Sequence, residues 1–367
     1  MNRLVQWFLN AGMNTSRKKR KGKPFRKALR LQSSFTLFVS IALYTLISSY
    51  LLSPKILAVT DQQLTFVSTD TSSSTKPSFQ HAILQAKKSI TLICYSICDS
   101  KIIAALKEVA EKDVSVRIIF DLSATPTPLS SFGNKIEVHP RKARGLMHHK
   151  LLVIDHNIVW LSTANMTTGS LQQHGNLSLG LKSPPLAQEI ESLAEAMITQ
   201  KTFTSRPLEL LHKDQHFRLY LHPFHGKSSL NDLINRIEQA KKKVFVAMYT
   251  FTHPLLKDAL VRAQKRGVDV RVIFDKESSK RTSQIAFLAL KKANVPCAYR
   301  TKAGLLHYKT ALIDNTLCTG SCNWTKAGFK SNDDFIFIID PLSSDQLTWI
   351  EEWWKSVEQR SSFSRTT

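Results

Sequence analysis

An internal two-fold repeat constrains what this chain can fold into more than any other feature of its sequence. Residues 80–121 align without a gap on residues 234–275. The matched segments include Ala86-Lys87-Lys88 with Ala240-Lys241-Lys242, Tyr95 with Tyr249, and Val116-Arg117 with Val270-Arg271. Because the two copies keep the same order of segments, the fold must contain the same structural unit twice.

Each copy predicts a helix, a strand, a second helix and a second strand. The predicted strands are Ser89–Ile97 and Val114–Phe120 in the first copy, and Lys243–Phe251 and Val268–Phe274 in the second. Between them, Lys101–Lys112 and Leu255–Arg266 carry apolar residues at helical spacing. Strands that alternate with helices predict an α/β fold, here two pseudo-symmetric α/β sandwich repeats with mixed sheets.

A second matched motif follows in each copy, with the pattern His-x-Lys-x4-Asp and then a turn of small residues that ends in Asn. Its members are His148, Lys150, Asp155 and Asn165 in the first copy, and His307, Lys309, Asp314 and Asn323 in the second. The apolar run before each Asp predicts a strand, on which side chains two residues apart share a face. The His and Lys of each copy therefore point the same way. Each Asp points to the other face, where we expect it to anchor the strand through hydrogen bonds.

This combination of side chains is suited to a phosphate group. Lysine supplies a point charge and asparagine an amide donor for the non-bridging oxygens. Imidazole can attack phosphorus or carry protons near neutral pH. Two such sets around one substrate provide one histidine as nucleophile and another as acid, and cationic side chains stabilise the charge without a metal or cofactor. A lone His-x-Lys is usually a solvated strand face, but its repetition in both copies favours a catalytic function.

At these motifs the sequence resembles the phospholipase D superfamily, named for paired His-Lys-Asp motifs. The resemblance extends over roughly 80–360, and the run from Gly320 to Thr325 is similar to the compact nuclease and cardiolipin-hydrolase branch. It implies one active site between two α/β halves and a phosphohistidine intermediate formed without a metal. It also implies catalytic roles for the paired histidines and lysines, and phosphate binding by Asn165, Asn323, Ser321 and Thr163. The first copy departs from the family with Ser162 in place of the usual glycine.

One position differs between the copies in charge. Eleven residues after each motif asparagine stands Asp334 in the second copy and Asn176 in the first. The resemblance implies that a carboxylate near this position orients a catalytic histidine of the other half. We therefore expect Asp334 to hold the ring N–H of His148, which makes His148 the nucleophile and His307 the acid and then the base for water. The alternative is that Asp334 is a surface carboxylate beside Asp333.

The amino-terminal region predicts a membrane anchor. Residues 1–34 hold ten of the 51 Lys and Arg residues and no Asp or Glu, and residues 35–53 are uncharged and mostly apolar. A basic segment before an apolar run indicates a cytoplasmic segment, a single-pass signal anchor and a body on the non-cytoplasmic side. Two alternatives are a secretory signal cleaved after Ala58 and a buried helix that follows a nucleic-acid-binding arm. The Ser- and Thr-rich stretch 60–77 is typical of a tether.

The repeat and its loops predict the domain boundaries. The first phospholipase D-like repeat is expected over 60–200, a loop-rich connecting segment over 201–228 and the second repeat over 229–367. The five cysteines are an odd number at low density. We therefore interpret most of them as buried apolar residues, with one disulfide open to them if the body is exported.

The motifs leave the phosphodiester open. The anchor favours a phospholipid membrane and hydrolysis of phospholipid head groups to phosphatidate. The net charge of +23 suits an anionic lipid surface and nucleic acid equally, so an endonuclease acting on DNA or RNA is the main alternative. Further alternatives are a phosphatidyl transferase of the cardiolipin-synthase type and a non-catalytic phosphate-binding module. We expect a monomer, since both halves of the active site lie in one chain.

Overall fold

The computed structural model describes residues 39–41, 43, 55–58, 64–71, 75–142, 145–212 and 214–363. The expected basic segment and almost all of the expected anchor at 35–53 lie outside these residues, so both stay predictions. Among the described residues, none of the helices has the length and apolar character needed to cross a bilayer. The chain divides into two compact units, Met1–Ser53 and Pro54–Thr367, and the account below concerns the second.

The first half of this unit alternates strands and helices. In chain order its elements are β1 (Lys55–Ala58), β2 (Thr65–Ser68), α1 (Thr75–Leu84), β3 (Ser89–Cys94), α2 (Ser100–Glu111), β4 (Ser115–Asp121), a 3-10 helix (Leu129–Phe132), β5 (Ile136–Arg141), β6 (Lys150–Ile154), β7 (Ile158–Ser162), α3 (Thr168–Gln172), β8 (Leu177–Lys182) and α4 (Pro184–Thr199). Within the described residues, seven strands form a mixed sheet in the order β2-β8-β7-β6-β3-β4-β5. Strands β3, β4 and β5 run parallel, and the other neighbours are antiparallel.

The second half repeats this plan. Its elements are β9 (Leu208–His212), β10 (Gln215–Leu221), α5 (Gly226–Gln239), β11 (Lys243–Met248), α6 (Pro254–Lys265), β12 (Asp269–Phe274), α7 (Lys276–Lys280), α8 (Gln284–Lys292), β13 (Cys297–Arg300), β14 (Lys309–Ile313), β15 (Thr316–Gly320), α9 (Lys326–Lys330), β16 (Phe335–Asp340), α10 (Ser344–Gln359) and β17 (Ser361–Phe363). In the described part of the chain, ten strands form a sheet in the order β1-β9-β10-β16-β15-β14-β11-β12-β13-β17.

One hydrophobic cluster extends across both halves, and a second cluster lies within the second half. A continuous cluster of buried side chains joins residues of both sheets with residues of α4 and α10. At the contact between the halves, Phe66 of β2 stacks on Trp349 of α10 at a ring-centroid distance of 5.1 Å. Because β3, β6 and β14 are covered on both faces, every residue of these strands is buried, which explains their nearly unbroken apolar sequences.

The structure differs from the sequence interpretation in the stretch 60–77. Residues 65–68 form β2, which pairs with β8, and α1 already begins at Thr75. Beyond β2, the carboxylate of Asp70 is fully buried and bonds with Arg300 (Nη2–Oδ1 3.0 Å) and with the hydroxyl of Tyr308 (3.0 Å) in the second half. This buried ion pair orders a segment whose polar composition resembles a tether.

The expected connecting segment 201–228 also contains more regular structure than its prolines and glycine suggested. Strands β9 and β10 lie within it and form an antiparallel hairpin in the second sheet, and α5 begins at Gly226. Strand β10 pairs with β16 from His216 to Leu221. The hairpin therefore extends the second sheet beyond the part that the repeat predicts.

Candidate active site

The strands β6 and β14 begin just after the two motif histidines and bring them to the contact between the halves. At the far end of each strand, a motif aspartate accepts hydrogen bonds from three consecutive backbone N–H groups. Asp155 accepts from residues 87–89 at 2.7 to 3.0 Å, and Asp314 accepts from residues 241–243 at 2.8 to 3.0 Å. Each aspartate thus ties its strand to the preceding helix–strand turn and stays away from the histidines.

The imidazole of His148 is held by a carboxylate from the opposite half. Its Nδ1 lies 2.8 Å from Oδ1 of Asp334, and both side chains are buried. The same carboxylate accepts from the hydroxyl of Ser321 at 2.6 Å and from the amide of Asn332 at 3.3 Å. Because a carboxylate accepts hydrogen bonds, Nδ1 of His148 carries the proton, and the lone pair of Nε2 is available for attack.

The imidazole of His307 is held in the same way by a neutral amide. Its Nδ1 lies 3.1 Å from Oδ1 of Asn176, which also accepts from the hydroxyl of Thr163 at 2.8 Å. The amide nitrogen of Asn176 donates to the carbonyl of Ser170 at 2.8 Å, which fixes the orientation of the amide. His307 therefore presents the same tautomer as His148, but with no charge on its partner.

The backbone around each histidine is fixed from both halves. The residue before each histidine donates its N–H to an aspartate at the end of a strand of its own half, Met147 to Asp121 and Leu306 to Asp275, both at 3.0 Å. Each histidine N–H donates across the interface, to the carbonyl of Asp333 (2.8 Å) or of Gly175 (2.9 Å). Sequence analysis placed the two strand-end aspartates in the repeat but assigned them no role.

Each motif lysine bonds to the backbone of the histidine of its own motif. Its Nζ donates to the carbonyl oxygen two residues earlier, at 2.7 Å for Lys150 and 2.8 Å for Lys309. Each Nζ also lies over a tyrosine ring, 5.2 Å from the centroid of Tyr95 and 4.9 Å from that of Tyr249. The same tyrosine rings pack against the histidines. The ring centroids lie 5.0 Å apart for Tyr95 and His148, and 4.9 Å apart for Tyr249 and His307. The repeat alignment matched these tyrosines, which was the signal that could have assigned them to the site.

Burial shifts the protonation of all four basic groups. It lowers the pKa of His148 to about 4, with Lys150 adding to the shift and Asp334 opposing it. Burial holds the pKa of His307 well below its ordinary value, and both lysines add to that shift. It lowers the pKa of Lys150 to about 7 and holds the pKa of Lys309 well below its usual range, with repulsion from Lys150 adding. Burial and mutual repulsion thus favour the neutral forms of these four groups, against the attraction of the Asp334 carboxylate.

The remaining expected phosphate ligands divide into two groups. The hydroxyls of Thr163 and Ser321 are buried and donate to the side chains of Asn176 and Asp334, which hold the two histidines, and their expected binding of phosphate stays a prediction. Asn165 and Asn323 follow β7 and β15 and are partly exposed. The amide oxygen of Asn323 accepts from Thr250 N at 3.3 Å.

The cysteines and other metal-ligating residues are spread through the fold. The five thiols are free, and all except Cys98 are buried. Burial raises the pKa of Cys94, Cys297 and Cys318 to about 12. In the part of the chain that the structure describes, no three His, Cys, Asp or Glu side chains are grouped as metal ligands.

Comparison with known proteins agrees with this architecture. The family model described as "Cardiolipin synthase, PLD-like domain" matches residues 79–198 and 233–357, more than half of the chain. The chain belongs to the phospholipase D superfamily. Its fold is similar to that of the phosphatidylserine synthase of Haemophilus influenzae, with a TM-score of 0.65, 14% identity, and coverage of 82% of this chain and 87% of that one.

The similar curated proteins include a hydrolase and a lipase. The chain is 35% identical to the mitochondrial cardiolipin hydrolase of Xenopus laevis over 118 residues, which are 32% of this chain and 55% of the relative. It is 27% identical to the phospholipase D of Rickettsia prowazekii over 122 residues, 33% of this chain and 58% of the relative. The chain thus spans somewhat more than half the length of these relatives.

Proposed function

We propose that this protein hydrolyses the head groups of phospholipids to phosphatidate through a phosphohistidine intermediate. The observation that supports this proposal best is the crossed pairing of the histidines: each Nδ1 is bonded to an acceptor from the opposite half. This pairing leaves both Nε2 atoms available at one centre with two lysines. A single phosphodiester, which needs one nucleophile and one acid, uses the whole set.

In the proposed reaction, Nε2 of His148 attacks phosphorus while the bond from phosphorus to the head-group oxygen breaks. His307, present as the imidazolium, gives its Nε2 proton to the departing oxygen. Neutral His307 then takes a proton from water, whose oxygen attacks phosphorus as the phosphorus–nitrogen bond breaks. Phosphatidate leaves, and both histidines return to their starting states. Lys150 and Lys309 neutralise the non-bridging oxygens throughout.

The lowered pKa values are compatible with this series of steps because binding of an anionic substrate is expected to raise them. The negative charge of a bound phosphodiester favours the protonated forms of nearby imidazole and ammonium groups. Binding is therefore expected to raise the pKa of His307 and of both lysines, so that the acid becomes protonated when substrate is present. Asp334, whose pKa is held below its ordinary value by His148 and Lys150 against the effect of burial, stays ionised.

Four features support a lipid as the substrate. The expected anchor would hold the body at a membrane, and the excess of basic residues suits an anionic lipid surface. Leu146, two residues before His148, is 41% exposed, whereas the apolar residues Met147 and Leu306 beside the motifs are core. Relatives of this chain are named cardiolipin hydrolase and phospholipase D. The same excess of charge supports nucleic acid as the second candidate substrate, and the description of the family model supports transfer to an alcohol as a second candidate reaction.

One comparative assay tests these choices. The purified full chain, reconstituted into vesicles, is supplied in EDTA with anionic phospholipid, zwitterionic phospholipid, or single- and double-stranded DNA, each with and without glycerol. His148→Ala serves as the matched inactive control. We expect phosphatidate from anionic phospholipid. Cleavage of DNA with intact lipid would instead identify a nuclease, and a phosphatidylglycerol product that replaces phosphatidate when glycerol is added would identify a transferase.

The proposed location is testable separately. With residues 60–367 on the non-cytoplasmic side of a membrane, protease added to intact spheroplasts should digest the body. Protection until the membrane is lysed would contradict this orientation.

A further inference from the structure

A cavity of about 620 Å³ lies beside β5, next to the active site. Its apolar lining includes Val138, Leu193, Met197, Phe203 and Phe224, and its polar lining includes Arg141, Lys142 and Lys201. The Phe224 side chain is 48% exposed, with its ring 5.3 Å from that of Phe203. The cavity therefore combines an apolar wall that reaches the surface with basic side chains.

The second half shows why this space is open. There, the segment after α10 continues as β17 and pairs with β13, with Tyr299 opposite Ser362. The corresponding segment after α4 forms no strand, and Phe203 from it lines the cavity instead. In the second half, β17 therefore covers the edge strand β13. In the first half, the corresponding segment leaves a cavity beside the edge strand β5.

One residue on the edge strand contributes to this difference. Counting back eight residues from each motif histidine, Pro140 stands in the first half where Tyr299 stands in the second. Thr301 donates its N–H to the carbonyl of Arg360, and the N–H of Tyr299, two residues earlier, faces the same edge because alternate residues do so. Proline has no N–H, so Pro140 removes the donor that an added strand needs.

The cavity contacts the active site through one residue. Asp333 lines the cavity and accepts from Nε of Arg141 at 3.1 Å. The backbone carbonyl of the same aspartate accepts the N–H of His148 at 2.8 Å. In the proposed reaction the phosphatidyl group stays on His148 while the head group leaves beside His307, so the cavity lies on the side of the lipid part that is retained.

The ionised groups give the cavity a net positive charge. Arg141 is paired with Asp333, while Lys142 and Lys201 are exposed and add two further positive charges. His139 is bonded to Glu137 at 2.6 Å. An apolar wall with exposed lysines is complementary to an amphipathic anion.

We propose that this cavity holds an acyl chain of the phospholipid substrate, with the exposed Lys142 and Lys201 at its rim, where they face the anionic lipid surface. This inference rests on the proposed function and extends it, since it assigns the acyl part of the substrate to the first half. It implies that the protein distinguishes phospholipids from small phosphodiesters by the acyl chain, since both kinds of substrate carry the phosphate.

Filling the cavity tests the inference. Ala196, which lines the cavity from α4, is changed to Trp in the full chain. The control is Ser356→Trp at the equivalent position of α10, where β17 closes the edge. We expect Ala196→Trp to lower kcat/KM for long-chain anionic phospholipid about ten-fold, which corresponds to about 1.4 kcal/mol. Turnover of soluble bis(p-nitrophenyl) phosphate should change less than about two-fold, because the reacting groups are untouched.

A direct measurement accompanies these kinetics. Vesicles that contain a phospholipid with a diazirine in its acyl chain are irradiated with the full chain, and crosslinks are mapped by mass spectrometry. We expect crosslinks within 193–203, and their loss in Ala196→Trp. The double variant Lys142→Glu with Lys201→Glu should also lose any preference for anionic over zwitterionic vesicles, whereas the exposed pair Lys265→Glu with Lys292→Glu should keep it.

The outcomes separate this inference from the proposed function. Wild-type protein that turns over the soluble diester but whose lipid crosslinks all map outside 193–203 would overturn the acyl-chain site and leave the phosphodiesterase intact. Equal losses on both substrates in Ala196→Trp would also overturn it. Wild-type protein that is inactive on every phosphodiester would contradict the proposed function, while the crosslinks would still decide whether the cavity binds lipid.

Discussion

The two halves of the active site hold their histidines with the same geometry and a different charge. His148 bonds to the carboxylate of Asp334, supported by the hydroxyl of Ser321. His307 bonds to the amide of Asn176, supported by the hydroxyl of Thr163. The two halves therefore share the positions of these hydrogen bonds. They differ in that Asn176 has an NH₂ group where Asp334 has its second carboxylate oxygen.

This difference teaches how one scaffold can assign two roles. After attack on phosphorus, the imidazole of the nucleophile carries positive charge, which a buried carboxylate stabilises and an amide does not. An acid must instead lose its proton readily, and an amide acceptor orients the ring without holding the proton. The comparison therefore assigns nucleophilic attack to His148 and proton transfer to His307.

The largest expected effect comes from removing either histidine. His148→Ala and His307→Ala should each lower kcat at least about 10³-fold, because general acid–base and nucleophilic catalysis each contribute about 10²–10⁴-fold. Phosphatidate release by each purified variant checks this expectation. If either variant kept half of the activity, the halves would be two independent sites.

The same variants show which histidine carries the adduct. In His307→Ala, a substrate with a good leaving group needs little protonation, so the phosphoryl adduct should accumulate. Acid-quenched peptide mapping is expected to find phosphate on the peptide that contains His148. An adduct on His307 in the wild-type protein would reverse the assignment.

The second largest effect comes from making the two halves equal. Asp334→Asn should slow adduct formation by about 10²-fold, the upper end of losses for a residue that orients a catalytic group through hydrogen bonding. Rapid-quench measurement of the adduct checks this. Circular dichroism must show a folded variant, because Asp334 also binds Ser321 and Asn332. A rate within two-fold of wild type would remove the carboxylate from the mechanism.

The converse variant, Asn176→Asp, should have a smaller effect. A new carboxylate favours the imidazolium form of His307, so the pKa of His307 should rise and the alkaline limb of the kcat profile should move to higher pH. We expect kcat to change about ten-fold or less, with some loss of thermal stability because the Ser170 carbonyl would face a carboxylate oxygen. An unchanged pH profile would show that His307 does not act as the acid.

The smallest expected effect is that of a chelator. Because Lys150 and Lys309 supply the positive charge at the phosphate, EDTA should leave the rate within the error of the assay. Loss of activity that a divalent ion restores would contradict the proposed chemistry.

Local patterns in the sequence predicted the strands, the positions of the motif residues and the pairing of Asp334 with His148. The repeat supplied the first two, and the resemblance to the phospholipase D superfamily implied the third. What the sequence could not supply was the direction of short side chains. Thr163 and Ser321 turn back toward the partners of the histidines, which depends on packing between strands that lie next to each other only in the folded protein.

Contacts between distant residues that lie outside the repeated motifs were also beyond prediction. Asp70 reaches Arg300 across 230 positions, and neither residue belongs to a repeated motif. The same holds for the cavity beside β5, which depends on a segment that does not form a strand. A missing strand leaves no periodic signal, although Pro140 was visible as a residue that cannot join a ladder.

The buried Asp70 has a consequence for how the protein is made and handled. The similarity to the family begins at residue 79, so a fragment cut at that boundary would contain every motif residue and lack this carboxylate. Arg300 would then be an unpaired buried cation, a loss that costs about 3–5 kcal/mol in proteins. Asp70 also bonds to Tyr308, which is beside His307. The leading segment therefore completes the buried contact between the two halves, and only chains that retain it pair every buried charge there.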